Sequence, residues 1–163
     1  IEELAGLIRK AKPKYLYTHN LADKHETHVA TALRVIAALR MLKPEERPEK
    51  VYGCEVWRDL DWLCDEEKVY LDCGAHPNLM RCLSAVFDSQ IAGGKRYDLA
   101  AEGRRLANAT FSASHACDTY SALNYAMDLT PLMDEKIDIA DYIAGFIDRF
   151  KVSVKENIGK FFE

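Results

Sequence analysis

Residues 14–28 read KYLYTHNLADKHETH, and this stretch decides the fold class of the chain. Its first part is a short tyrosine-rich run typical of a β-strand, and its second part opens a helix that we predict to continue to about residue 42. A strand whose carboxyl end leads into a helix is the arrangement in which α/β folds place their chemistry. We therefore expect a functional site close to residues 20–28.

Two histidines, His25 and His28, lie three residues apart at the start of the predicted helix. Side chains with this spacing share one helix face, and neutral imidazole is the commonest protein ligand of zinc-like metals. The positive end of the helix dipole disfavours imidazolium, so it keeps such rings available as ligands. The pattern favours a metal or acid–base site. His19, which ends the strand, either satisfies a loop carbonyl or touches substrate.

A purely structural explanation exists for the same residues. Asp23 and Glu26 have the spacing of a capping box, in which Asp23 is the N-cap of the helix. His28 also lies in line with Ala32 and Leu39 on the apolar stripe of that helix. On this interpretation His28 is a hydrogen-bonded core histidine and not a ligand.

The composition is that of an ordinary globular protein. The 163 residues, of which 48% are hydrophobic and 29% charged, predict a single domain over residues 1–163. A net charge of -4 argues against nucleic acid or an anionic membrane surface as the main partner, and no apolar run has the length of a membrane span. The five cysteines form no C-x-x-C pair. They read as reduced, packed thiols, which predicts a cytoplasmic protein.

The order of the predicted elements indicates an α/β fold. We expect strands at residues 14–18, 51–57 and 68–73, and helices at residues 2–11, 24–42, 77–92, 98–110 and 137–150. The pattern leaves open that the last helix continues to the end of the sequence, and residues 112–133 have no clear pattern. Alternating strands and helices predict a Rossmann-like parallel sheet with flanking helices. Because such sheets usually have about five strands, we expect the N-terminal strands to lie outside these residues and to leave a truncated sheet edge.

Several segments together resemble one enzyme family. Residues 15–28 with their H-x-x-H, the pair Leu71-Asp72 and the pair Ser89-Gln90 resemble the PIG-L/LmbE zinc-dependent de-N-acetylases. The stretches YGCEVWRDLDWL (52–63) and DSQIAGGKRY (88–97) are similar to the LmbE-like region that some bacteria carry fused behind a glucosamine-6-phosphate deaminase-like domain. The resemblance implies the C-terminal part of a metal-dependent amidohydrolase that removes an acetyl group from an N-acetylglucosamine-type sugar in amino-sugar metabolism.

The resemblance also implies roles for individual residues. By position, His28 is the zinc ligand, and His25 is the catalytic residue that stabilises the oxyanion or protonates the leaving amine. The family's first signature, His-Pro-Asp-Asp, supplies the other ligands and the general base, but it does not precede His25 here. Ala75-His76-Pro77-Asn78 looks similar, yet it follows the H-x-x-H and has Asn78 in place of an acidic residue. We therefore expect these residues alone to be inactive, and their zinc to require ligands from elsewhere.

Arg58, Asp59 and Asp61 follow the second predicted strand and are the candidate substrate-binding residues. Carboxylates suit sugar hydroxyls and arginine suits a sugar phosphate, whereas the alternative is a solvated turn. The expected partners are an amino sugar or sugar phosphate, and a second chain that covers the truncated sheet edge, such as another copy of this one. The second function hypothesis is a non-catalytic interaction or regulatory module of a glucosamine-6-phosphate deaminase-like enzyme.

Overall fold

A computed structural model describes residues 1–162 of the chain. Within that range the helices are α1 (Glu2–Ala11), α2 (Glu26–Arg40), α3 (Pro77–Ala85), α4 (Tyr97–Phe111) and α5 (Ile139–Gly159). The strands are β1 (Tyr15–His19), β2 (Lys50–Cys54), β3 (Val69–Asp72) and β4 (Leu123–Asp128). The predicted α/β class is confirmed.

Strands β1 and β2 form a parallel pair joined by helix α2. Their register places Tyr15 opposite Lys50 and His19 opposite Cys54. The ladder continues one residue beyond β1, because the backbone N–H of Asn20 donates to the carbonyl of Cys54 at 3.1 Å. A parallel connection needs a crossover, and α2 supplies it. The predicted strand–helix–strand unit is therefore present, and it brings the ends of β1 and β2 to one sheet edge.

The sheet as a whole is mixed, so the predicted Rossmann-like parallel sheet is not confirmed. Its strand order is β1-β2-β4-β3, and β4 pairs antiparallel with β2. Strand β4 lies in the stretch 112–133 that had no clear pattern. Four of its six residues are buried, including Ala126 and Met127, so its sequence lacks the polar–apolar alternation that marks a half-buried strand.

Helix α2 owes its position to an apolar stripe. Ala32, Ile36 and Leu39 are at most 1% exposed and recur at the spacing of one helix face. This face packs on β1, and Pro44 follows within four residues of the end of α2. Burial of a side chain such as Ile36 or Leu39 stabilises a fold by about 1.5–3 kcal/mol.

The chain divides into two compact units. The first consists of residues 1–68 and 126–162, and the second is Val69–Tyr125. The first has a core of large buried side chains: Ile36, Leu39, Val51, Leu60, Leu63, Met127, Leu129 and Leu132. The second buries little, and helix α3 has no buried residue. Strand β4 contributes its first half to the second unit and its last three residues to the first.

Strand β1 lies at one end of the strand order. The side chains of Tyr15 and Tyr17 are 46% and 58% exposed, and both contact the ring of Tyr52 on β2. This is the edge at which we expect association with a second chain, and that association stays a prediction. None of the helices within residues 1–162 combines the length and the apolar character needed to cross a bilayer.

Candidate functional site

Three potential metal ligands converge at the carboxyl end of β1. His19 ends that strand, Asp23 lies in the turn that follows, and His28 lies in the first turn of α2. One ligand atom from each of the three residues lies within 4.8 Å of the others. The His19 and His28 rings stack with centroids 3.9 Å apart and planes inclined by 6°. Nδ1 of His28 lies 3.0 Å from Oδ2 of Asp23.

The turn that carries Asp23 is held by a buried polar network. Asn20 is fully buried, and its Nδ2 donates to Oε2 of Glu55 at 2.6 Å. Its Oδ1 accepts from the N–H of Ala22 at 2.6 Å. Glu55, which is 3% exposed, also accepts from the N–H of Lys24 at 3.4 Å. These bonds tie the turn to the residue directly after β2, so the position of Asp23 depends on both strands.

The start of α2 differs from the predicted capping box. The helix begins at Glu26, and its N-cap is His25, with φ −99° and ψ 122°. Asp23 instead forms an Asx turn, in which its Oδ1 accepts from the N–H of His25 at 2.8 Å. The second carboxylate oxygen, Oδ2, faces the ring of His28. Asp23 therefore orders the start of the helix with one oxygen and contacts His28 with the other.

The purely structural interpretation of the sequence required His28 to be enclosed in the core, but this residue is not enclosed there. Its side chain is 31% exposed, and its ring faces the Asp23 carboxylate and the His19 ring. His25 lies alongside, with its ring centroid 5.1 Å from that of His28. Both histidines of the H-x-x-H pattern therefore lie at this site, although only His28 belongs to the group of three potential ligands.

Trp57 forms an aromatic wall next to His25. The two ring centroids are 4.8 Å apart in an edge-to-face arrangement, and Nζ of Lys24 lies 5.3 Å from the Trp57 centroid. Trp57 as a whole is 38% exposed. A partly exposed aromatic side chain beside a polar cluster suits a ligand that has both apolar ring faces and hydroxyl groups, as sugars do.

The electrostatics of the cluster combine a buried carboxylate with one histidine, His19, whose pKa is lowered. The side chain of Asp23 is 1% exposed. Burial lowers the pKa of His19 below the usual histidine range, and the neighbouring His28 lowers it further, whereas the Asp23 carboxylate opposes both effects. Because metals bind imidazole in its neutral form, a low pKa makes His19 a better ligand at neutral pH.

The three candidate substrate-binding residues differ in exposure. Arg58 is exposed, and its Nη1 donates to the carbonyl of Ala22 at 3.0 Å. Asp61 is exposed, whereas Asp59 is only 1% exposed. Asp59 and Leu60 have φ of 54° and 58°, values that are strained for residues with side chains. The turn holds Arg58 beside the site loop and encloses Asp59.

His19 and Asp23 were not identified as ligands from the sequence. Their signal was the spacing His-x3-Asp-x4-His across the junction of a strand and a helix, but only the fold shows that these positions meet. His76 and His115 are exposed in the second unit, and neither belongs to a group of three metal-ligating side chains within residues 1–162. The same unit has an open cavity of about 570 Å³ lined by residues such as Leu79, Leu83, Phe87 and Arg105.

Comparison with known proteins gave no match: no family model, no curated protein and no solved structure matches this chain. The resemblance to PIG-L/LmbE de-N-acetylases therefore stays a prediction from the quoted motifs. What is established about the site is its geometry.

Proposed function

We propose that this chain is the C-terminal part of a metal-dependent amidohydrolase that removes the acetyl group of an N-acetylglucosamine-type sugar, fused to a glucosamine-6-phosphate deaminase-like domain. The observation that supports this most is the grouping of His25 and His28 with a buried carboxylate at the carboxyl end of β1. We propose a Rossmann-like domain for this activity, in which β1, α2 and β2 are one parallel unit. We place it in the cytoplasm, because the five cysteines are all free thiols.

The donor set fits the zinc that such an activity requires. Imidazole and carboxylate groups are the usual ligands of catalytic zinc, and His28 would hold the ion. Bound zinc would polarise the amide carbonyl and lower the pKa of a bound water toward neutrality. Oδ2 of Asp23 lies 3.0 Å from Nδ1 of His28 and holds this ring beside the candidate metal position.

His25 has a different role in this proposal. Its ring lies between His28 and Trp57 and makes no hydrogen bond within residues 1–162, so an N–H of this ring is available to a substrate. When water attacks an amide carbonyl, negative charge develops on the carbonyl oxygen. A histidine N–H directed at that oxygen stabilises the charge. We therefore propose His25 as the catalytic oxyanion donor or as the acid that protonates the leaving amine.

The proposed sugar-binding surface consists of the Trp57 face with Arg58 and Asp61. The exposed indole would stack on a pyranose ring, Asp61 would accept from hydroxyl groups, and Arg58 would meet a phosphate. Asp59 would reach a substrate only after the turn at residues 58–61 opens, because its carboxylate is enclosed.

The test is deacetylation of N-acetylglucosamine and its 6-phosphate by the intact zinc-loaded protein. His28→Ala should remove zinc and activity together. His25→Ala should retain zinc and lower kcat roughly 100- to 1000-fold, the effect of a lost oxyanion donor. His115→Ala, which changes an exposed histidine outside the cluster, is the matched control. If the wild-type protein binds zinc but deacetylates neither sugar, the proposed activity is wrong and the non-catalytic module becomes the better hypothesis.

A further inference from the structure

We propose that His19, Asp23 and His28 together bind one divalent transition-metal ion, and that this chain supplies all three protein ligands. For the proposed function, His28 is the one zinc ligand that we assign to this chain, and the other ligands come from elsewhere. The three-ligand site uses His28 as well, but it does not depend on any hydrolytic activity. The ligand set is two imidazoles and one carboxylate, which leaves at least one coordination position open.

The spacing of the three groups is close to that of a metal site. Two ligands bound to zinc at 2.0–2.2 Å with a tetrahedral angle are about 3.4 Å apart. Oδ2 of Asp23 and Nδ1 of His28 are already 3.0 Å apart, and no pair in the cluster exceeds 4.8 Å. Side-chain rotations within ordinary rotamer wells close a difference of this size.

The ring stack of His19 and His28 must open for the ion to bind. A metal lies in the plane of the imidazole that binds it, and two planes inclined by only 6° do not meet at a shared ion. Within residues 1–162 the His19 ring makes no hydrogen bond, so its rotation breaks the stacking contact with His28 but no hydrogen bond. The inference therefore includes a local change in which the His19 ring tilts toward Asp23.

The charge of the cluster favours a cation. Asp23 is an almost fully buried carboxylate, and within the described residues its only ion-pairing partner is the ring of His28. A carboxylate enclosed in this way is a favourable position for positive charge, because burying a negative charge without a cation is costly. A divalent ion would compensate it. Because two of the three donors are nitrogen, the site should prefer Zn²⁺ or Co²⁺ over Mg²⁺ or Ca²⁺.

The competing explanation is that Asp23 only orients His28 and never touches the metal. The two roles differ in magnitude. Loss of an orienting carboxylate usually lowers metal affinity 10- to 100-fold, so loss of a direct ligand should exceed about 100-fold. Asp23→Asn is the informative change, because its side-chain oxygen can still accept from the N–H of His25 and preserve the turn.

The experiment is a calorimetric titration of the untagged, metal-free chain with Zn²⁺, repeated with Co²⁺ while the visible absorption is followed. One ion should bind per chain, and Mg²⁺ should not compete. His19→Ala, Asp23→Asn and His28→Ala should each weaken Zn²⁺ binding roughly 100-fold or more, while His76→Ala and His115→Ala should leave it unchanged. His19→Gln, which keeps a polar side chain of similar length, replaces His19→Ala if that variant fails to fold.

Three outcomes would overturn the inference. They are no Zn²⁺ binding by the wild-type chain, full affinity in a His19 variant, and a loss of less than about 100-fold in Asp23→Asn. Absence of deacetylase activity is not among them. A chain that binds Zn²⁺ through these residues without hydrolysing an amide would support the site and contradict the proposed function, so the two failures are distinguishable.

Discussion

Replacing Asn20 tests how the fold positions the candidate site. Asn20 is fully buried between the end of β1 and the start of the turn that carries Asp23. Asn20→Ala removes the donor to Glu55 and the acceptor of the Ala22 N–H, each bonded at 2.6 Å. It leaves the Glu55 carboxylate, which is 3% exposed, with a single weak bond of 3.4 Å from Lys24.

The expected loss of stability follows from these bonds. A hydrogen bond to a buried charged group contributes about 1.5–3 kcal/mol, and a neutral one about 0.5–1.5 kcal/mol. We therefore expect Asn20→Ala to lower the free energy of unfolding by roughly 3 kcal/mol. Because the same bonds hold the turn, Zn²⁺ affinity should also fall roughly 10-fold or more, as it does when groups that position metal ligands are removed.

Asn20→Asp adds a test of how the stability of the fold depends on pH. It places a second carboxylate about 2.6 Å from Glu55 in a buried position, where both groups cannot be ionised together. At neutral pH the folded variant should therefore retain a proton that its unfolded chain has already released near the ordinary carboxyl pKa of about 4. Since the folded state binds more protons, the stability of this variant should fall as pH rises from about 5 to 8, relative to the wild type.

The assay is urea unfolding followed by the fluorescence of Trp57 and Trp62, both of which lie in the first unit. Circular dichroism of each variant checks that the helices form. An Asn20→Ala variant within 0.5 kcal/mol of wild type, the ordinary range of surface substitutions, would refute the proposed role of the network. A pH-independent difference for Asn20→Asp would refute the electrostatic part.

Two further predictions concern the pairing of β2 and β4. Nζ of Lys50 donates a hydrogen bond to the carboxylate of Asp128 at 2.9 Å. Burial by itself raises the pKa of Asp128. The hydrogen bonds from Lys50 and from the following turn outweigh burial and hold this pKa below its usual range. A carboxyl group whose pKa is lowered on folding stabilises the folded state at pH values above its unfolded pKa of about 3.9. Asp128→Asn should therefore lower the free energy of unfolding by about 1 kcal/mol at pH 7. The loss should be smaller in 1 M salt and should shrink progressively below pH 4. A double-mutant cycle with Lys50→Met that shows no coupling at pH 7 would contradict this. A Cβ at Gly53 would lie 2.7 Å from Cδ1 of Leu129, so Gly53→Ala should destabilise the protein by about 1–3 kcal/mol. The control is Gly6→Ala within α1, where the added Cβ meets open space; this change should stabilise the protein by about 0.5–1 kcal/mol. If both variants changed the thermal unfolding midpoint equally, the close approach at Gly53 would be contradicted.

Local patterns were sufficient for several elements. The tyrosine-rich run and the apolar stripe of α2 predicted β1 and the crossover helix to within a few residues, because the faces of these elements differ in burial. The final helix extends to Gly159, a continuation that the prediction for residues 137–150 left open. Helix α3 ends at Ala85 instead of near residue 92, and a short 3₁₀ helix, Asp88–Gln90, follows it.

By itself, the sequence determined the α/β class, the parallel β1–α2–β2 unit and the interest of His25 and His28, since each follows from residue spacing along one or two neighbouring elements. Only the tertiary structure decided that β4 lies beside β2, because a strand buried along most of its length carries no periodicity of its own. The tertiary structure also decided which residues contact His28. His19 and Asp23 reach it only because the turn after β1 is tied to Glu55, the residue directly after β2, by a contact across 35 residues that no local pattern reveals.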